Sequence, residues 1–307
     1  MSNRALVADP DHPVTMRPAE VADPSPSDAQ VVIEVRHASL NHGDLNDAVS
    51  GRLAPGDVLG SDIAGIVVQA AADGSGPALG ARVVALAVGG FAQRVAVDSD
   101  SVAVVPDDLD LVLAAGLPVA GLAALRTLRA GGSSLGKRVL VTGASGGVGT
   151  FAVQLAAASG AHVIAAVGSP ERGQGLSELG ADEVVVGLDG LDPVDLVIES
   201  VGGPLMTQAW TLLAPGGSLQ SVGWTSGEPA VLPPYATVGP VKSLSSYLTL
   251  GPVGKDLADL VGLAVAGRLT VRVGWRGDWA RIEEATKALR DRKVHGKAIL
   301  DLTDQLT

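Results

Sequence analysis

No cysteine occurs anywhere in the 307 residues. That absence excludes disulfides, thiolate-held metals and a cysteine nucleophile, and it fits a reducing compartment, so the cytoplasm is the expected location. Aromatic residues are only 3% of the chain, which gives no basis for an extended stacking surface. Positive charge is also short: 22 Lys and Arg face 33 Asp and Glu, for a formal charge of −11. A polyanion is held by clustered cations neutralising phosphates, so a nucleic-acid function is not expected. Long apolar runs are missing too. Residues 151–158 form an apolar stretch that Gln154 and the flanking Gly149 and Ser159 interrupt, far short of the roughly 20 residues that cross a bilayer. Arg4, Asp9 and Asp11 break up the start of the chain, so it reads as mature protein and not as a signal peptide.

What is present is enough chain for two domains. Short β-type runs at 31–35, 63–69, 82–86 and 91–97, separated by Gly, Pro and Asp, predict a compact, mostly antiparallel β domain over residues 1–112. From 113 to 240 the rhythm changes. Strand candidates at 139–142, 163–167, 183–186, 196–199 and 218–222 alternate with helical segments, 151–159 being the clearest. That alternation predicts an α/β, doubly wound parallel sheet. Beyond 240 the pattern mixes again, with helix candidates at 255–266 and 279–290 and a terminal strand at 297–302.

The strand at 139–142 runs into Ala144-Ser145-Gly146-Gly147-Val148-Gly149, with an apolar helix immediately after. Strand before and helix after are the context in which A-x-G-x-x-G binds a dinucleotide. Small Ala144 permits the turn, Gly146 lets backbone approach a pyrophosphate, and Gly149 lets the helix pack on the strand. The helix N-terminus presents free N–H groups and a positive dipole end to phosphate. About 20 residues on, an NAD site carries a carboxylate for the ribose hydroxyls. Here Gly168 and Ser169 stand in that region, with Arg172 nearby. Missing negative charge plus the donors Ser169 and Arg172 favours a 2′-phosphate, hence NADPH (NADP). Arg172 as a solvated turn residue is the alternative, and Glu171 beside it weighs on that side.

Across nearly the whole chain the landmarks follow one order: Leu40-Asn41-His42-Gly43-Asp44, Gly60-Ser61-Asp62-Ile63-Ala64-Gly65, Gly89-Gly90-Phe91-Ala92-Gln93, Leu117-Pro118-Val119-Ala120-Gly121, Leu179-Gly180-Ala181-Asp182, Val201-Gly202-Gly203, Pro215-Gly216-Gly217 and Gly296-Lys297. In this the sequence resembles the medium-chain dehydrogenase/reductase superfamily, in its zinc-free, quinone oxidoreductase-like and enoyl reductase-like branch. The resemblance implies a GroES-like catalytic domain built from 1–112 and 241–307 around a Rossmann-like domain at 113–240. It further implies an active-site cleft, a small-molecule substrate and a homodimer or homotetramer. Gly60-Ser61-Asp62 stands where the zinc branch has Gly-His-Glu, and Ala123 where many relatives have a threonine near the nicotinamide. The five histidines lack the spacing of a metal pair, so no metal site is expected.

The expected chemistry is hydride transfer from NADPH to a quinone, enone or enoyl-type conjugated carbonyl, with the protein aligning reactants and stabilising negative charge. Asn41 is a candidate for holding the nicotinamide ribose or the substrate carbonyl and Asp44 for orienting that loop, or else the two form a turn bonding its own backbone. Tyr235 and Tyr247 are candidate proton donors or packed rings. Val201 and Gly202, together with Gly223 and Trp224 at a strand's carboxyl end, are candidates for the cofactor pocket, with packing the alternative for Trp224. A protein that binds NADPH without turnover, and a metal-independent alcohol dehydrogenase, are the rival functions.

Overall fold

The computed structural model describes residues 3–239 and 241–302. Met1, Ser2, Pro240 and residues 303–307, which the sequence assigns to domain ends, lie outside the described residues. In chain order the elements are β1 (Asn3–Ala8), β2 (Met16–Val21), β3 (Gln30–Leu40), α1 (His42–Val49), β4 (Asp62–Gln69), β5 (Arg82–Leu86), β6 (Arg94–Asp98), β7 (Val102–Val104), α2 (Leu111–Ala114) and α3 (Pro118–Ala130). There follow β8 (Arg138–Thr142), α4 (Gly147–Ala158), β9 (His162–Val167), β10 (Glu183–Val186), β11 (Val194–Glu199), α5 (Gly203–Leu212), β12 (Leu213–Ser221) and β13 (Ser243–Ser246). The chain closes with α6 (Gly254–Val265), β14 (Val273–Asp278), α7 (Ile282–Arg290) and β15 (Lys297–Asp301).

Two compact units emerge. The first holds the chain up to Leu122, Leu250–Gly267 and everything from Val271; the second holds Ala123–Thr249 and Arg268–Thr270. The sequence places the divisions at 112/113 and 240/241, and both move. Residues 113–122 carry Leu117 and Leu122, each wholly buried, and belong with the first unit. Residues 241–249 belong to the second because β13 joins its sheet in parallel beside β12, Leu219 facing Leu244. Ser243-Leu244-Ser245-Ser246 has no strand-like apolar pattern; backbone pairing alone makes it a strand.

In the first unit the sheet runs β14-β15-β3-β4-β5-β7, with β6 also on β3. All of its pairings are antiparallel except β14 with β15. Strand β3 is long enough to serve three partners, bending at register shifts by Val32 and Val35. Alternation drives one face inward: Val31, Ile33, Ile63, Val83 and Ala85 are completely buried, with Trp279, Phe91 and Leu300. Pairing of Ala298 with Leu40 brings the chain's last strand against its first third.

The second unit's sheet is parallel throughout, in the order β10-β9-β8-β11-β12-β13. By sequence position that is 3-2-1-4-5-6, in which strand order reverses beside the first strand and opens a crevice at the carboxyl ends. Buried on both faces, its strands read as continuous apolar runs such as Val139, Leu140 and Val141, all fully buried. Helix α4 follows suit: Phe151, Ala152, Val153 and Ala156 have no exposed surface. Its one long polar side chain, Gln154, is satisfied by Thr150 O (2.9 Å), Thr270 O (3.0 Å) and Thr270 N–H (2.7 Å).

Candidate functional site

Two polar centres stand out, one in each unit. In the second, β8 ends at Thr142, Gly143 turns with φ +58°, and Gly146 is the N-cap of α4. Gly146 has φ −81°, open to any residue, and a Cβ there meets only Gly143 O at 3.2 Å. Gly149 is different: a Cβ would lie 2.4 Å from Gly143 O and 2.6 Å from Ala144 Cα. The α4 backbone therefore touches the preceding turn at Gly149, while at Gly146, at the mouth of α4, Gly143 O is the one close atom. Ala144 and Ser145 are buried beneath the turn, and Gly147 and Val148 begin the helix.

Arg172 reaches that turn. Its Nε donates to Ser145 Oγ at 3.1 Å, placing a guanidinium beside the phosphate loop. Ser169 is otherwise engaged: its hydroxyl bonds Glu171 and holds that carboxyl below its usual range. Of the two expected donors, Arg172 is thus at the loop and Ser169 is tied to Glu171.

The other second-unit candidates gather at the carboxyl ends of β8, β11 and β12. Around Gly143, a Cβ would meet Val201 Cγ2 at 3.3 Å and Ser200 Cβ at 3.7 Å. Gly202 has φ +73°, and the Trp224 ring lies where its Cβ would be, at 2.7 Å. Gly223 abuts Ser200 O, and Trp224 Nε1 donates to Glu228 O at 2.5 Å. Val201, Gly202, Gly223 and Trp224 thus form one packed rim, and Trp224 remains 45% exposed.

The rim is organised by Glu199, which sequence reasoning missed. Fully buried, it accepts hydrogen bonds from Thr142 Oγ1 (3.0 Å), Val201 N–H (2.9 Å) and Gly202 N–H (2.9 Å). Burial pushes its carboxyl above the usual range against those bonds. The Ser200 hydroxyl, next in sequence, is buried and has no partner among the described residues. A glycine turn at a helix N-terminus, an arginine beside it and an unpaired buried hydroxyl at the switch point fit a dinucleotide. Tyr235 is 83% exposed on a turn with φ +66°, and Tyr247 bonds Thr249 Oγ1 at 2.8 Å.

The first unit's centre lies where β3 passes into α1. Asn41 is the N-cap, and its N–H donates to Asp44 Oδ2 at 2.7 Å, half of a capping box. The Asn41 amide donates to Ser39 O (3.2 Å) and Asp62 Oδ2 (2.9 Å), so both Nδ2 protons are committed, while Lys297 Nζ donates to its Oδ1. Asp62 also accepts from Val119 N–H at 2.7 Å and Lys297 Nζ at 3.0 Å. Ser61 Oγ donates to Asp44 Oδ1 at 3.0 Å. Asp44, Asp62 and Lys297 are at most 3% exposed. Asp44 is pushed up to about 7, first by burial and then by the nearby Asp62 charge. Asn41 and Asp44 thus come together as the sequence suggests, and with them Ser61, Asp62 and Lys297. Among the described residues no group of three or more His, Cys, Asp and Glu is arranged to hold a metal.

Residues 27–107 match the alcohol dehydrogenase GroES-like domain and residues 147–266 the zinc-binding dehydrogenase family. The chain belongs to the medium-chain dehydrogenase/reductase superfamily, and is quinone oxidoreductase-like. The quinone oxidoreductase of Coxiella burnetii shares the fold, with a TM-score of 0.87 over 99% of this chain and all of that one, at 24% identity. Among curated relatives, mouse prostaglandin reductase-3 is 32% identical over 74% of this chain and 64% of its own length. A spectinabilin polyketide synthase protein of Streptomyces orinoci is 32% identical over 89% of this chain. This chain spans only 13% of that synthase. The superfamily is one of nicotinamide-dependent oxidoreductases, and no helix among the described residues is long and apolar enough to cross a membrane.

Proposed function

We propose that the chain is an NADPH-dependent reductase of quinones, enones or enoyl-type conjugated carbonyls that works without zinc. The observation that carries this reading is Arg172 at the phosphate loop, where an NAD site would have a carboxylate. Gly146 and the α4 N-terminus would hold the pyrophosphate, and Arg172 with Ser145 the 2′-phosphate. Val201, Gly202, Gly223 and Trp224 would wall the nicotinamide, with Ser200 Oγ as a spare hydrogen-bonding group. NADPH, when bound, supplies hydride. The protein's part is alignment, exclusion of water and stabilisation of the anion that forms. Asn41 and Asp44 would order the loop on the substrate side, and Tyr235 and Tyr247 are the candidate ring hydroxyls. The prostaglandin reductase among the relatives supports a reductase. Zinc independence is supported by Lys297, whose ammonium already pairs with the buried Asp62 carboxylate of the Asn41 centre. The site of action is the cytoplasm.

Strand β13 is the sheet's edge, and Leu244, Val241, Leu248, Val238 and Tyr235 around it are exposed. An open edge beside apolar side chains favours pairing with a second copy, hence a homodimer or tetramer, which light scattering over a concentration series reads; a monomer throughout removes this part.

The test of function is NADPH oxidation against a panel of quinones, enones and enoyl thioesters with a strong chelator present. Turnover is expected with at least one acceptor and undiminished by the chelator. Tight NADPH binding without oxidation by any acceptor would favour a binding protein, and loss of activity restored by zinc would overturn the metal-free reading.

A further inference from the structure

The first unit holds a cavity of about 490 Å³ where β3, β5, β14, β15 and the start of α2 meet, and Arg36, Arg82 and Arg276 all line it. That volume lies within the roughly 300 to 1,000 Å³ of pockets that take small molecules. Three guanidiniums in one cavity are conspicuous in a chain with a net charge of −11, because like charges held together repel unless negative charge joins them. Two carboxylates in the wall, Asp110 and Asp301, offset part of that charge. Both are already engaged. Asp301 accepts from Arg276 Nε at 2.9 Å and lies 2.8 Å from His37 Nδ1, while Asp110 accepts from Val112 N–H at 2.9 Å. Burial holds the His37 imidazole below its usual range, Arg276 adding to that effect and Asp301 and Asp110 opposing it. At neutral pH the positive charge in the cavity is therefore that of the arginines.

Strand register puts these groups side by side. Asp301 on β15 pairs with His37 on β3. Against β4, β3 shifts register between Val35, which faces Gly65, and His37, which faces Ala64, so Arg36 is an extra residue. A bulge of this kind re-aims side chains. Arg36 and His37 both line the cavity, whereas in an unbroken strand consecutive side chains point to opposite faces. The backbone at the bulge is fixed by Leu302 N–H, which donates to Arg36 O at 3.0 Å.

The three guanidiniums differ in what they have left to donate. Arg82 is spent on backbone: Nη1 and Nη2 donate to Pro106 O (2.6 Å) and Leu109 O (2.7 Å), bracing the loop before α2. Arg36 gives Nη2 to Glu34 at 2.8 Å, and Arg276 gives Nε to Asp301. Among the described residues nothing takes up Nε and Nη1 of Arg36 or the two Nη groups of Arg276. Leu111 and Leu302 supply an apolar wall beside them.

We propose that this cavity binds a small organic phosphate, its anionic head held by the guanidiniums of Arg36 and Arg276 and its carbon body against Leu111 and Leu302. Guanidinium is a planar fork that matches phosphate, and a phosphate monoester carries about −1.5 to −2 charge at pH 7. The site needs neither the reductase reading nor the phosphate loop, because every residue in it belongs to the first unit.

The test is nitrogen-15 NMR of the arginine Nε–Hε groups in the full-length protein, which reports on this cavity whatever else binds phosphate. Arg36→Gln and Arg276→Gln identify the two resonances; both side chains are about half exposed, at 51% and 49%, so neither substitution opens the core. Phenyl phosphate should move both signals saturably with one Kd, inorganic phosphate should do so more weakly, and phenol should not. Each substitution should weaken phenyl phosphate by about tenfold or more, followed on the arginine that remains. No saturable shift, a shift that sodium chloride of equal ionic strength reproduces, or a Kd unchanged by either substitution overturns the site. Phenol acting as well as phenyl phosphate overturns the anion recognition, and inorganic phosphate binding as tightly overturns the organic ligand. Should Arg276→Gln not fold once Asp301 has lost its partner, Arg36→Gln, followed on the Arg276 signal, decides alone.

Discussion

The phosphate loop and the Asn41 centre solve the handling of charge in opposite ways. The loop is made of backbone and is contiguous, Gly143 to Gly149, with no ionisable residue inside it; one arginine comes from β9's far end. The Asn41 centre is made of side chains from the start of α1, the start of β4 and β15, with backbone groups of β3 and α3, and holds its charges in the interior. A backbone cradle is open to a diffusing anion and stays soluble when empty. A side-chain centre must satisfy itself, because buried unpaired charge costs several kcal/mol. On the proposed reading the first would recruit its charge from a ligand, while the second carries its own counter-ion, Lys297.

The largest expected effect breaks the first arrangement. Gly146 has a negative φ and one close neighbour, Gly143 O at 3.2 Å, so valine should fit the fold with a small shift of that turn but occupy the ligand's position; Gly149 is pressed against Gly143 O and Ala144. Gly146→Val should abolish NADPH binding in a folded domain, and Gly149→Val should lower stability itself. Thermal unfolding with and without cofactor separates them, since ligand at a hundred times its Kd adds about 2.7 kcal/mol. A folded Gly146→Val protein with the full cofactor-dependent shift would remove the loop from the site.

The same contrast explains what could be read in advance. Contiguous features were legible: the glycine loop, α4 and four parallel strands within a residue or two, because buried parallel strands are unbroken apolar runs. Helix α1 was not, since Asn-His-Gly-Asp looks like a turn and the helix is only eight residues long; the capping relation of Asn41 with Asp44 was the available signal. The end of β3 was hidden by Arg36 and His37, and β13 by its serines. Asp62 and Lys297 were visible as landmarks, but their pairing spans 235 positions, and no local pattern reports a contact of that kind. Glu199 had no signal beyond its place before Val201-Gly202.

Breaking the second arrangement should cost stability before function. Lys297→Met leaves the fully buried Asp62 without its cation and should destabilise the fold by about 3 to 5 kcal/mol, the usual cost of removing one partner of a buried pair. Adding Asp62→Asn should recover much of that, because the uncompensated charge goes with it. Denaturant unfolding of both variants reads the difference. Equal stability of the single variant and the parent would mean that the ammonium is not the centre's counter-ion.

The smallest effect sharpens how much of the loop's charge handling belongs to the side chain that approaches it. Arg172 donates to Ser145 Oγ through Nε, and guanidinium is a planar fork suited to phosphate. A 2′-phosphate would engage that fork, whereas NADH has nothing there to engage. Arg172→Ala should therefore weaken NADPH by about 1.5 to 3 kcal/mol, roughly tenfold or more in Kd, and leave NADH unchanged. Arg172→Lys should recover only part of the loss, because a point charge cannot reproduce two parallel hydrogen bonds. Raising salt should narrow the gap between the cofactors, as screening weakens an exposed charge contact. Calorimetric titration of both nucleotides into the three proteins gives the comparison. Equal affinities of the unaltered protein for NADPH and NADH would show that Arg172 is only a loop brace for Ser145, and would leave the backbone cradle as the whole of the binding site's phosphate recognition.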